Sequence, residues 1–401
     1  MTRGLIISTT AGFAGGGVIQ KRCSGFEGCP LHFPGPFAYP DFPPHWLFAS
    51  DLMKRPSSFL KLAGVLCCIT AVATVALVAR EERPAGDQMV DAADGFLGSL
   101  SPELKAKASF EYDDPHRVGW FFTPQQSKDR KPTRKGVRFE ELNADQKKSA
   151  LALLRTGTSA KGYEQATTIM SLEEILKDVE GTKGAMVRNP NWYFISVFGK
   201  PSKTGKWGWR FEGHHMSVSF TLDKGQVDSP TPFMFGANPA TVKGGPKDGL
   251  RTLPEAEIPA KELIESLDAD QKKLAFQEKH LPEIAENTPT AKLGKPIGIP
   301  AGKFNDKQRA ILMKLLEGYA NRMPANVAAK ELKAVRDAGI DKVHFAYSGT
   351  LEAGKGYTYQ AQGPSFVVQF LNVQADGSGN PANHIHSAWR RLPSDFGLAE
   401  K

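Results

Sequence analysis

The sequence predicts an α+β fold: antiparallel strand-rich blocks packed with several helices in a single large domain. Three observations carry the prediction. A helix-starting pattern recurs along the chain, aromatic and β-branched runs joined by short turns form two blocks, and helices precede and separate these blocks without alternating with single strands. With 40% hydrophobic and 23% charged residues, a chain of 401 residues has enough apolar material for a sizeable core.

The helix starts are Leu142-Asn143-Ala144-Asp145-Gln146-Lys147, Leu267-Asp268-Ala269-Asp270-Gln271-Lys272 and Phe304-Asn305-Asp306-Lys307-Gln308-Arg309. In each, Asn or Asp caps the first free amides and Gln three residues later bonds back to the cap, so helices are expected to begin at Asn143, Asp268 and Asn305. Ser101-Pro102-Glu103 reads as a fourth start, with Pro in the first turn. The unequal separations of these starts argue for a shared way of opening helices and against a solenoid period. After Asn305, Ile311, Leu312, Leu315, Leu316 and Tyr319 recur at three and four, giving one buried face.

The first strand block runs from Trp192 to Phe198, Trp207 to Phe211 and His214 to Leu222; the second runs from Val343 to Tyr347, Tyr357 to Gln362, Phe366 to Asn372 and His384 to Trp389. Pro254 to Pro259 and Asn287 to Gly302 read as surface connections.

Lys and Arg outnumber Asp and Glu by 51 to 43, but the excess falls to four over residues 81–401, with no basic stripe. Nucleic acid is therefore not expected as a partner. All four cysteines precede residue 80, which excludes disulfide scaffolds, cysteine-ligated zinc and cysteine nucleophiles from residues 81–401. From Met53 a short basic stretch leads into the uncharged run Leu62 to Ala79 and then Arg80-Glu81-Glu82-Arg83-Pro84. This pattern marks residues 53–80 as a secretory signal, or as an N-terminal anchor through residues 59–79, the only expected route to a membrane. Export to the periplasm or the extracellular space follows. Residues 1–52, rich in Gly, Pro and aromatics, read either as upstream sequence not normally translated or as a disordered extension, leaving residues 81–401 as the domain.

Four of the seven histidines beyond residue 80 fall in two groups, His214-His215 and His384-Ile385-His386. Alternate strand residues share a face, which puts His384 beside His386 and Glu212 beside His214. If one strand from each block brings these imidazoles together, the N/O donor set suits zinc or iron(II). Otherwise the histidines form a hydrogen-bonded polar seam along an aromatic sheet. Arg210, Arg390 and Arg391 are candidates for forked bonds to a carboxylate or phosphate, or for ion pairs at strand ends. Glu352, in a turn-rich loop, is a candidate acid or base. The sequence contains no Gly-x-Ser-x-Gly elbow, His-Glu-x-x-His, Walker loop or dinucleotide-binding glycine motif, which disfavours the enzyme classes built on them.

The blocks Trp207-Gly208-Trp209-Arg210-Phe211-Glu212-Gly213-His214-His215, Phe235-Gly236-Ala237-Asn238-Pro239-Ala240 and Asn383-His384-Ile385-His386-Ser387-Ala388-Trp389-Arg390 resemble the bacterial domain of unknown function 3500 family. The likeness extends from about Gly95 through Gly397 and includes His116-Arg117-Val118-Gly119-Trp120 and Gln362-Gly363-Pro364; Glu352-Ala353-Gly354 departs from an expected Glu-Pro-Gly. The resemblance implies one domain, often exported, and carries over no activity, substrate or cofactor. Two functional expectations follow from the residues. In one, a metal-dependent hydrolase or related lyase holds zinc or iron(II) through His214, His215, His384 and His386, with Glu212 as ligand or general base and Arg210 or Arg390 orienting an anionic small-molecule substrate. In the other, a non-catalytic protein binds a small ligand or a metal in the same place.

Overall fold

Residues 83–181 and 184–398 are described by the computed structural model, and all belong to one compact unit of the chain. The expected extension at residues 1–52 and the signal or anchor at 53–80 lie outside the described residues. In chain order the first half comprises α1 (Ala85–Ser99), α2 (Pro102–Ala108), β1 (Ser109–Phe110), β2 (Val137–Arg138), α3 (Ala144–Thr156) and α4 (Ala160–Glu180). Five strands complete it: β3 (Tyr193–Phe198), β4 (Lys206–Gly213), β5 (Met216–Asp223), β6 (Gln226–Ser229) and β7 (Phe233–Ala237). The second half comprises α5 (Pro254–Ser266), α6 (Ala269–Ala275), β8 (Ile299–Pro300), α7 (Asp306–Ala320) and α8 (Ala325–Ala338), then β9 (His344–Gly349), β10 (Tyr357–Gln362), β11 (Phe366–Gln374) and β12 (His384–Arg391).

Local chemistry explains the helix starts. Asn143, Asp268 and Asn305 each cap their helix with the reciprocal bond from Gln in place, and the Ser101 hydroxyl accepts the Leu104 amide. The segment Pro254 to Pro259, expected as a surface connection, is instead the start of α5. Pro254 sits in the first turn, where its missing N–H has no intrahelical acceptor to lose. Pro259 forgoes one bond, while Ala256, Ala260, Leu263 and Ile264 bury a helical face. The segment Asn287 to Gly302 is mainly a connection, with β8 near its end.

The sheet has twelve strands, and its main path reads β3-β4-β5-β7-β12-β11-β10-β9, antiparallel throughout. Read from either edge, the path is the same meander, and the two copies meet at β7 and β12. The halves also match in detail. On the outer edge of β3, Ser109 pairs in parallel with Val197 and Val137 pairs antiparallel with Ile195; on β9, Phe276 pairs in parallel with Tyr347 and Ile299 antiparallel with Phe345. The capping glutamine of α3 donates to the carbonyl of Ser99 at the end of α1 (2.9 Å), and that of α7 donates to Ser266 at the end of α5 (2.8 Å). The fold is one helical and strand unit used twice.

The two faces of the sheet differ in chemistry. Along β5, Met216, Val218, Phe220 and Leu222 join the large apolar core with the helices, and Ser217, Ser219 and Thr221 are buried on the other face. That second face is covered by irregular chain and holds a smaller core that includes Trp120, Phe122, Met234, Ile284 and Phe396. Arg390 pins the cover: it pairs with buried Asp395, donates to the carbonyls of Ala285 and Thr288, and lies over the Trp120 ring. Arg391 pairs with Glu331. Both arginines are thus committed to internal partners.

Candidate metal centre

His214 and His215 do not lie on a strand. They form the turn between β4 and β5, whose last pair is Gly213 with Met216, so strand alternation stops before them. His215 takes a left-handed backbone (φ 61°), its N–H donates to the Phe122 carbonyl (2.8 Å), and its own carbonyl accepts from Gly236 (2.7 Å). Gly236 faces His386 across the β7–β12 pair. A Cβ at Gly236 would stand 2.7 Å from the Ile385 oxygen and 3.0 Å from Cδ2 of His215. The missing side chain lets the His215 ring reach β12.

There His215 meets His384 and His386, and one nitrogen from each of the three lies within 4.8 Å of the others. The Nε2 atoms of His215 and His384 are 2.8 Å apart. The remaining nitrogens of the β12 pair have partners of their own: Nδ1 of His386 is 2.9 Å from the Glu283 carboxylate, and Nδ1 of His384 is 3.4 Å from the Asn238 side chain. A carboxylate behind a histidine fixes ring orientation and directs the opposite nitrogen toward an ion. His215 and His386 are buried and His384 is half-buried.

Electrostatics favour the neutral form of His215 and His384. Burial, then the neighbouring imidazoles, hold His215 well below the ordinary histidine range, and burial followed by His386 holds His384 at about 2. Their lone pairs are therefore free at neutral pH, as metal ligation requires. For Glu283, burial acts upward, but the bond and charge of His386 outweigh it and leave the carboxyl lowered.

The other residues singled out from sequence are placed differently. The His214 ring packs against His215 at 3.7 Å between centroids, but its Nδ1 is bonded to buried Glu173 of α4 and lies 3.2 Å from Arg188. Burial lowers the His214 pKa, with Glu173 opposing. Arg210 and Glu212 pair with each other at 3.2 Å, almost fully buried. Glu212 Oε2 accepts the Phe121 N–H, Oε1 is left without a partner among the described residues, and Arg210 donates to the carbonyls of His116 and Arg117. This pair holds the cover to the sheet. Sequence reasoning missed Glu173, Arg188, Asn238 and Glu283; Asn238 and Gly236 lie in a block that was noticed, whereas Glu283 sits in irregular chain with no pattern to mark it.

The fold and site thus define an α+β protein with a buried three-histidine group able to hold a metal ion. The chain belongs to the family described as "Protein of unknown function (DUF3500)", whose sequence model matches residues 82–398. Neither the curated proteins nor the solved structures contain a match to it.

Proposed function

We propose that this protein is an exported, metal-dependent hydrolase whose zinc or iron(II) ion is held by His215, His384 and His386. The observation that carries the reading is the convergence of three imidazoles, with the Glu283 carboxylate behind His386. Two nitrogens bound at about 2.1 Å to one tetrahedral ion would lie about 3.4 Å apart, so the widest pair in the group would close by up to about 1.4 Å and the 2.8 Å pair would open slightly. His215, His384 and His386 would hold the ion, which would supply Lewis acidity for hydrolysis at neutral pH. Glu283 orients His386, and Arg210 with Glu212 positions the cover beside His215. A small-molecule substrate approaches from the side of half-buried His384.

A second reading, a non-catalytic ligand-binding or metal-binding protein, is favoured by one contact. The 2.8 Å between His215 Nε2 and His384 Nε2 is also the distance of a hydrogen bond between two neutral imidazoles. Elemental analysis of the chain made without a histidine tag, beside a His384→Ala/His386→Ala variant, tests the metal. Near-stoichiometric zinc or iron in the parent and its loss from the variant is the expected result. A folded parent that takes up neither metal after loading overturns the reading. Hydrolysis of an ester and phosphoester panel that is lost on chelation and restored by metal separates enzyme from binding protein.

A further inference from the structure

The Glu352 loop plays no part in the three-histidine group, yet it borders a cavity of its own. The cavity measures about 280 Å³, and its lining includes Arg251, Lys261, Glu352, Lys355, Tyr357 and Asn372. That volume lies at the lower end for small-molecule sites, the size of a compact metabolite. Its polar groups are unequally satisfied. Arg251 is matched by buried Glu257 at 2.7 Å, to which Tyr357 also donates. Lys261 lies over the Tyr357 ring at 5.2 Å, and neither Lys261 nor Lys355 has an ion-pair partner among the described residues. Asn372 is 5% exposed. Its Oδ1 accepts the His384 N–H at 3.0 Å, which fixes the amide and leaves Nδ2 with no protein partner among the described residues. Nδ2 is therefore a donor still available to a ligand in the cavity.

We propose that this cavity is a binding site for the carboxylate or phosphate group of a small polar molecule. Two unmatched ammonium groups and the Asn372 amide supply the donors, and charge-assisted bonds to an oxyanion satisfy all three. Glu352 is the one carboxylate at the site without a cationic partner, and it restricts occupancy to a single compact anionic group. The cavity is separate from the three-histidine group, although Asn372 and Asn383 of its lining adjoin His384.

Calorimetric titration of the full chain with inorganic phosphate and, separately, with acetate tests the proposal and tells the two chemistries apart. At least one probe is expected to bind. Asn372→Asp keeps the acceptor for His384 N–H and replaces the free donor with a negative charge, so binding should weaken at least about tenfold with little change in melting temperature. Glu352→Gln removes repulsion and should tighten binding several-fold, whereas Lys243→Ala/Lys247→Ala, in a separate cleft, should leave it unchanged. Absence of binding by both probes at about 10 mM, weaker than any useful affinity for such a site, overturns the proposal. So does undiminished binding in folded Asn372→Asp, or weaker binding in Glu352→Gln.

Discussion

Gly236 decides at the residue scale whether the imidazoles can meet. The Cβ of a Gly236→Ala variant would press on the Ile385 carbonyl and the His215 ring together, and a backbone atom cannot yield as a flexible side chain can. The expected outcome is loss of bound metal with destabilisation of about 1–3 kcal/mol, read by elemental analysis and chemical denaturation; a variant with full metal content would show that the ring does not need this gap. His116 reports on the cover. Burial first, then the charges of Arg210 and Lys135, hold it at about 3, far below its unfolded value. The unfolded chain therefore binds the proton first as pH falls, so stability is complete above about pH 6.5 and declines toward about pH 3. In His116→Asn this slope should be shallower, by at most about 1.4 kcal/mol per pH unit. Equal slopes in denaturation series from pH 7 to pH 4 would refute the assignment.

Capping governs the elements, and here the sequence was readable. Four residues state where α2, α3, α6 and α7 begin, because a cap and the amide it accepts lie within three positions of each other, with a return bond from Gln in the last three. The glutamines do more than the caps. Gln308 returns a bond to Asn305, donates to Ser266 and exchanges bonds with Gln271, all while buried. Asn305→Ala should cost about 1 kcal/mol, the usual value of a cap. Gln308→Ala should cost about 2 kcal/mol or more, since it strands buried partners, and urea titrations showing equal losses would place the stabilisation in the cap alone. Tertiary burial overrode local signals in α5, where two prolines suggested a connection and the apolar stripe behind them prevailed. Strand alternation was legible along β5 but misled at His214, because the turn falls on His214 and His215, later in the chain than the pattern shows it.

Across the whole molecule, duplication explains both the recurrence of helix starts and the place of the site. The steps from Ser101 to Asn143 and from Asp268 to Asn305 are the α2-to-α3 and α6-to-α7 steps of the two halves, a correspondence hidden by insertions of unequal length. In the second half, Gly363-Pro364-Ser365-Phe366 repeats the turn of Gly213-His214-His215-Met216 without its imidazoles. The three-histidine group therefore forms where the first half's turn reaches the second half's last strand. Because β7 and β12 pair inside one continuous sheet, the halves should unfold in a single calorimetric transition. Two resolved transitions would show them to be independent.

The sequence by itself determined the fold class, the helix starts, the two strand blocks and the family likeness, since each rests on residues close together in the chain or on ordered blocks of them. It also brought out the four histidines as one set. Only the tertiary structure decided that His215, His384 and His386 converge while His214 turns to Glu173. That choice depends on a left-handed turn residue, a glycine gap in a neighbouring strand and a pairing between segments about 170 positions apart. Strand order and ring direction follow from how the halves pack, and no local spacing records them.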